Sequence, residues 1–265
     1  MMTTEDRTEN REDKTDAIPS ISLLGVKVHS LDMPTTLAAV RGFIASGKPH
    51  MIVTADASGI ARAQSDEDFR KLVNEADLVT PDGIGVIWGA AKLGTPLMER
   101  VSGVEIAEQM CRLSAEDGFS IYFLGAAPGV AALAAERMTE KYPGLKIMGM
   151  HDGYFDTSED AAIAGKVKAS GADVLLVAMG IPRQEKFIRD NMDKLGVSVA
   201  MGIGGSFDVF SGKVKRAPRL VQRCGIEWLY RFLQDPKNKI SKIRLLRQFR
   251  AMVQREKERI AKTQN

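Results

Sequence analysis

Five short polar clusters hold most of the chemistry available to this chain. Thr54 and Asp56 follow the apolar run HMIV, and Asp82 and Gly83 follow ADLVTP. Arg100 precedes Gly103, Gln184 and Glu185 follow LLVAMGIP, and Gly204, Gly205 and Asp208 follow VSVAMGI. A carboxylate placed like Asp82, beside glycines that let substrate approach, suits removal of a proton from a hydroxyl. An arginine such as Arg100 suits a phosphate, whereas Thr54 and Gln184 suit neutral hydrogen bonds. Each residue also has a bland reading. Asp82 before Gly83 is equally a turn or helix N-cap, and Thr54 and Asp56 equally cap a helix starting near Ser58. Arg100 is equally a surface cation, and Gln184 a polar residue of a first helical turn.

The common nucleotide and hydrolase signatures are missing. Gly83-Ile84-Gly85 opens a dinucleotide fingerprint, but Trp88 occupies the third glycine position; Gly202-Ile203-Gly204 fails in the same way at Phe207. There is no GxxxxGK[ST] loop and no G-x-S-x-G elbow. His29, His50 and His151 are dispersed and none belongs to HExxH, so no metal site is expected.

The elements that must position these clusters follow a β/α rhythm. Residues 20–30 read as a short strand or hairpin, 35–47 as a helix ended by Gly47, and 50–58 as a buried strand running into a turn. One helix is expected over 58–75, then a strand within 76–86 that stops at Pro81. Helical patterns follow at 84–93 and 104–116. A strand at 119–125, a strand and loop over 145–155, and strands at 172–180 and 197–205 alternate with helices at 128–142, 158–169 and 183–194. This alternation predicts an α/β fold with a mainly parallel sheet, whose strand-end loops converge on one edge.

Composition limits the options further. The 265 residues are 44% hydrophobic and 27% charged, the balance of an ordinary globular protein. Two cysteines, Cys111 and Cys224, cannot build a disulfide framework. Met1 to Ser20 is polar, reads as a disordered leader and lacks the apolar centre of a signal peptide, which predicts a cytoplasmic protein. From Lys213 onward there are 16 basic against 4 acidic residues, whereas the preceding 212 residues carry 21 against 30. An acidic body with a basic tail predicts an anionic partner: nucleic acid, membrane surface or phosphorylated substrate. Residues 216–236 read as a helix or helix pair, and 237–265 as a basic amphipathic helix with an apolar stripe of Ile240, Ile243, Leu246, Phe249 and Val253.

Spaced blocks then carry a resemblance. They include TAD (54–56), ADLVTPDGIGV (76–86), ERVSGVE (99–105), LGAAPGV (124–130), DGYF (152–155), MGIPRQEK (179–186), GIGGSFDVFSGKVKRAP (202–218) and IEWLYR (226–231). Over about Leu24 to Pro236 the chain resembles the WecG/TagA/CpsF bacterial glycosyltransferases. The resemblance implies a Rossmann-like α/β catalytic domain over 21–212 and a basic membrane-associating appendage over 213–265. It implies metal-independent, inverting transfer from a UDP-sugar to an undecaprenyl-diphosphate-linked sugar, without a cofactor. N-acetylmannosamine donated to lipid-linked GlcNAc is the expected pair, and another UDP-hexose of capsule synthesis is the alternative. Asp82 is then the base, and Thr54, Asp56, Arg100 and Gln184 bind donor. Arg216, Arg219, Arg223 and Arg231 are candidates to fold over the pocket and meet phosphate oxygens. Asp56 stands where the family usually has Asn, which suits a neutral sugar better than a uronic acid.

The expected location is the inner face of the cell membrane, with anionic lipid as a partner and apolar tail surface available for self-association. A nucleic-acid-binding reading of the tail requires aromatics among the cations, and from residue 237 onward only Phe249 is aromatic. An oxidoreductase reading requires an intact GxGxxG.

Overall fold

A computed structural model describes residues 18–215 and 236–263. The N-terminal leader to residue 17, the 216–235 segment with its four arginines, and Cys224 lie outside the described residues.

The described residues open with an antiparallel hairpin, β1 (Ser20–Leu23) and β2 (Val26–His29), which forms its own two-stranded sheet. Six further strands are all parallel: β3 (His50–Ala55), β4 (Leu78–Pro81), β5 (Ser120–Gly125), β6 (Lys146–His151), β7 (Val174–Ala178) and β8 (Val199–Gly202). Their order across the sheet is β4-β3-β8-β7-β5-β6. The hairpin closes the β4 edge, where His29 Nδ1 accepts the Val79 N–H at 2.9 Å. Burial pulls the His29 pKa down to about 4, which keeps this ring nitrogen free to accept.

Strand residues alternate between two cores, the mark of a sheet covered on both faces. Met51, Val53, Leu175 and Val177 face one core, while Ile52, Val174 and Leu176 face the other. The first core contains residues of α2 (Ala57–Ala63), α3 (Glu67–Glu75), α4 (Ile84–Lys92), α7 (Asp160–Ser170) and α8 (Arg183–Leu195). The second contains α1 (Met33–Ser46), α5 (Gly103–Asp117), α6 (Val130–Lys141) and α9 (Ser206–Phe210). The α/β class with a parallel sheet is therefore as expected.

Two expectations need correction. The helix expected over 58–75 is two helices, because Asp66 caps α3 by accepting the Phe69 N–H at 3.0 Å. On the last helix, α10 (Pro236–Thr263), the stripe residues Leu246, Phe249 and Val253 are turned onto the body rather than outward. Phe249 and Val253 are buried against α4, where a Cβ on Gly89 would come within 2.7 Å of the Phe249 ring. Leu245 and Leu246 pack against the same core, and the Arg250 guanidinium stands 6.0 Å from the Trp88 ring centre. Only a glycine at 89 lets the two helices close to this distance.

Phe249→Ala should therefore destabilise the whole protein by about 3–5 kcal/mol, as for other buried aromatics. Urea denaturation followed by circular dichroism measures this, and an unchanged midpoint would show that α10 does not hold the body.

Candidate active site

The carboxyl ends of the parallel strands supply the site. Parallel strands end in loops whose backbone groups must find partners outside the sheet, and here the loops bond one another. Asp82 N–H donates to Ala55 O at 2.9 Å, and Val101 N–H donates to Pro81 O at 2.9 Å. The loop before α5 is thus sewn to the end of β4. Gly83, with φ of 91°, turns the chain into α4 and serves as its N-cap without a side-chain bond.

Asp82 accordingly does not cap the helix that follows it. Its Oδ2 accepts the Gly103 N–H, the first residue of α5, at 3.2 Å. The positive end of a fifteen-residue helix thus adjoins this carboxylate, a placement that favours negative charge. Thr54 lies beneath the same point. It is 8% exposed, donates from Oγ1 to Gly202 O at 3.4 Å, and lies so near Gly103 that a Cβ there would stand 3.1 Å from its Cγ2. The structure brings together Thr54, Asp82 and the start of α5.

Asp56 takes the capping role. Its Oδ1 accepts from Gly59 N–H at 2.7 Å and from Ser58 Oγ at 2.6 Å, so it is the N-cap of α2. Arg100 pairs with Glu105, its Nη2 lying 3.1 Å and 3.3 Å from the two carboxylate oxygens, while Ser102 Oγ donates to Oε2 at 2.8 Å. Arg100 is therefore held at the mouth of α5 rather than waving from the surface. Arg216, Arg219, Arg223 and Arg231 lie outside the described residues.

Gln184 is placed inside the loops rather than at their rim. It is 1% exposed, and its Oε1 accepts from Gly180 N–H at 3.1 Å and Gly204 N–H at 3.0 Å. Its Nε2 donates to Glu185 Oε1 at 2.7 Å. Glu185 is equally buried, and burial, with the nearby negative charge of Asp56, pushes its carboxyl up to about 7 despite the hydrogen bond from Gln184. The sequence reading passed over Glu185 as a site residue. Its one signal was its place beside Gln184 on the first turn of α8, whose buried residues include Gln184, Glu185, Phe187 and Ile188.

Toward the other edge, the loops after β5 and β6 interlock. Gly153 N–H donates to Ala126 O at 2.8 Å and Ala126 N–H to Ala178 O at 2.7 Å. Tyr154 is 76% exposed above this junction. Among the described residues, no group of three or more His, Cys, Asp or Glu is placed to hold a metal ion. None of the described helices is long and apolar enough to cross a membrane.

A three-layer parallel α/β body with a carboxylate, a cation and helix N-termini at one sheet edge suits transfer of a group from a nucleotide donor. The chain belongs to the glycosyl transferase WecG/TagA/CpsF family, which it matches over residues 21–264. It is 37% identical over 194 residues to the N-acetylglucosaminyldiphosphoundecaprenol N-acetyl-beta-D-mannosaminyltransferase of Bacillus spizizenii. That match covers 73% of this chain and 75% of the relative.

The raised Glu185 pKa makes a signed prediction. A carboxyl at about 7 when folded, against an ordinary 4.5, adds stability that is complete below pH 4.5 and lost as pH rises through 7. The span corresponds to roughly 3 kcal/mol. Glu185→Gln should lack this fall, so its stability relative to wild type rises between pH 5 and 8. Parallel urea curves that keep a constant gap across that range would contradict it.

Proposed function

We propose that this chain transfers N-acetylmannosamine from a UDP-linked donor to a GlcNAc-diphosphoundecaprenol acceptor, with inversion at the anomeric carbon. The observation that carries the reading is the Asp82 carboxylate, set at the end of β4 against the Gly103 N–H, in a chain this similar to a mannosaminyltransferase. In the proposed step the acceptor hydroxyl oxygen attacks the anomeric carbon and gives its proton to Asp82. The bond from that carbon to the UDP oxygen breaks through an oxocarbenium-like transition state, and UDP leaves with the electron pair. Arg100 and the N-terminus of α5 are suited to offset the charge growing on the diphosphate. Thr54 suits a neutral contact with the sugar. Gln184 acts from beneath, through the loops it binds. Arg216, Arg219, Arg223 and Arg231 are proposed to reach the diphosphate from above.

The acceptor's prenyl chain stays in the bilayer, so the enzyme is proposed to work at the inner membrane surface. The burial of Phe249 and Val253 shifts the basis of that docking from the apolar stripe to charge. Arg244, Arg247 and Arg255 are exposed on α10, and each basic residue near anionic lipid contributes about 1 kcal/mol. Burial of Phe249 also removes the one aromatic that could stack a base on this helix, which counts against a nucleic-acid role.

Three experiments test the reading. A panel of UDP-sugars with short-chain GlcNAc-diphosphoprenol, read by product mass, should give the N-acetylhexosamine adduct from the mannosamine donor. Asp82→Asn should lower kcat by about 10²–10⁴-fold with folding intact. Turnover near wild type in that variant would remove Asp82 from the role of base. For the membrane, Arg244→Glu with Arg247→Glu should abolish flotation with anionic liposomes while circular dichroism and melting stay as in wild type. Unchanged flotation would place the docking surface elsewhere.

A further inference from the structure

Glu185 is a buried titratable group that the proposed chemistry does not use. It sits at the third position of α8, is 1% exposed, and its Oε2 has no hydrogen-bond partner. A narrow cavity beside it is lined by Val53, Ile60, Phe69 and Ile181, with Thr54 and Glu185 as its polar members. The charged groups facing it are Asp56, which repels its anion, and Arg62, which attracts it. For packing alone, an apolar side chain would serve this position better. What the carboxyl does provide is a bond to a neighbouring side chain, Oε1 accepting from Gln184 Nε2 at 2.7 Å.

That bond has consequences for the site. Gln184 crosses the end of β8 so closely that a Cβ on Gly202 would lie 2.5 Å from its Nε2. Its Oε1 receives the Gly180 and Gly204 N–H groups, one from the loop after β7 and one from the loop after β8. An amide in this pocket has two distinct ends. Two donors face the oxygen, so the nitrogen must point to an acceptor, and Glu185 is that acceptor. Without it the buried NH₂ group is left unpaired, and the side chain gains by leaving the loops to find water.

We propose that Glu185 is a positioning residue: by holding the Gln184 amide it fixes the spacing of the loops after β7 and β8 beside Thr54 and Asp82. This rests on the strand-end site being the place of transfer. A misplacement of about 1 Å at a reacting centre costs on the order of 100-fold. Glu185→Leu removes the acceptor, whereas Glu185→Gln keeps an oxygen able to receive the same bond.

The test pairs amide hydrogen exchange with kinetics on the full chain. In Glu185→Leu, exchange should speed up at Gly180 and Gly204, and kcat/KM should fall about 100-fold. Glu185→Gln should keep slow exchange and stay within about 3-fold of wild type, since its amide oxygen replaces the lost acceptor. In a Gln184→Ala background, Glu185→Leu should cost nothing further, because the side chain it holds is gone. Unchanged exchange in Glu185→Leu, or additive losses in the double variant, would overturn the proposal. Faster exchange with undiminished transfer would overturn it as well. Absence of transfer in wild type would instead reject the assigned reaction, with the exchange data still deciding whether the clamp exists. If Glu185→Leu does not fold, the Gln variant decides: fast exchange in it would refute the clamp.

Discussion

A parallel sheet leaves the backbone groups at its carboxyl edge unpaired, and satisfying them is the constraint on which the candidate site depends. The solution is a set of bonds between loops. The end of β4 is bonded to the end of β3 and to the approach to α5. The loops after β7 and β8 share one glutamine oxygen. The loops after β5 and β6 are joined through Ala126 and Gly153. Each bond takes a segment that is free in sequence and gives it a fixed place over the sheet. Asp82 is a product of this arrangement: its carboxylate faces the start of α5 because the α5 approach has been tied to β4.

The same requirement explains why two polar side chains lie in the interior. Gln184 and Glu185 belong to the buried face of α8, where apolar residues would be the ordinary choice. Burial raises the cost of ionising Glu185, and its Oε2 gains no bond in return. The compensation is geometric, since a side-chain amide is one of the few groups able to accept two backbone N–H donors at once and still donate. Stability is spent here on the shape of the strand ends.

The last helix divides its surface between two tasks. Phe249, Val253, Leu245 and Leu246 complete the core that covers one face of the sheet. Arg244, Arg247 and Arg255 remain in solvent. The division matters for function: a helix held to α2 and α4 presents its cations in a fixed relation to the strand-end site. Removing the tail would accordingly uncover Gly89 and its neighbours, which makes surface charge the cleaner variable for testing membrane attachment.

Much of this architecture is local and was legible in the sequence. The buried strands are unbroken apolar runs such as VLLVA, the helices end at Gly47, Gly118, Gly171 and Gly196, and the strand-end positions of Thr54, Asp82 and Gln184 follow from the β/α rhythm. The family was legible too, because its motifs are short and contiguous. The break at Asp66 was missed because its apolar spacing stays helical on both sides of the cap. What periodicity cannot carry is long-range pairing. It does not order the strands, choose whether Asp82 caps α4 or reaches α5, turn Gln184 inward, or decide whether an amphipathic stripe meets lipid or protein. Those outcomes depend on which distant segments satisfy each other's hydrogen bonds and bury each other's surface, and only the assembled tertiary structure decides them.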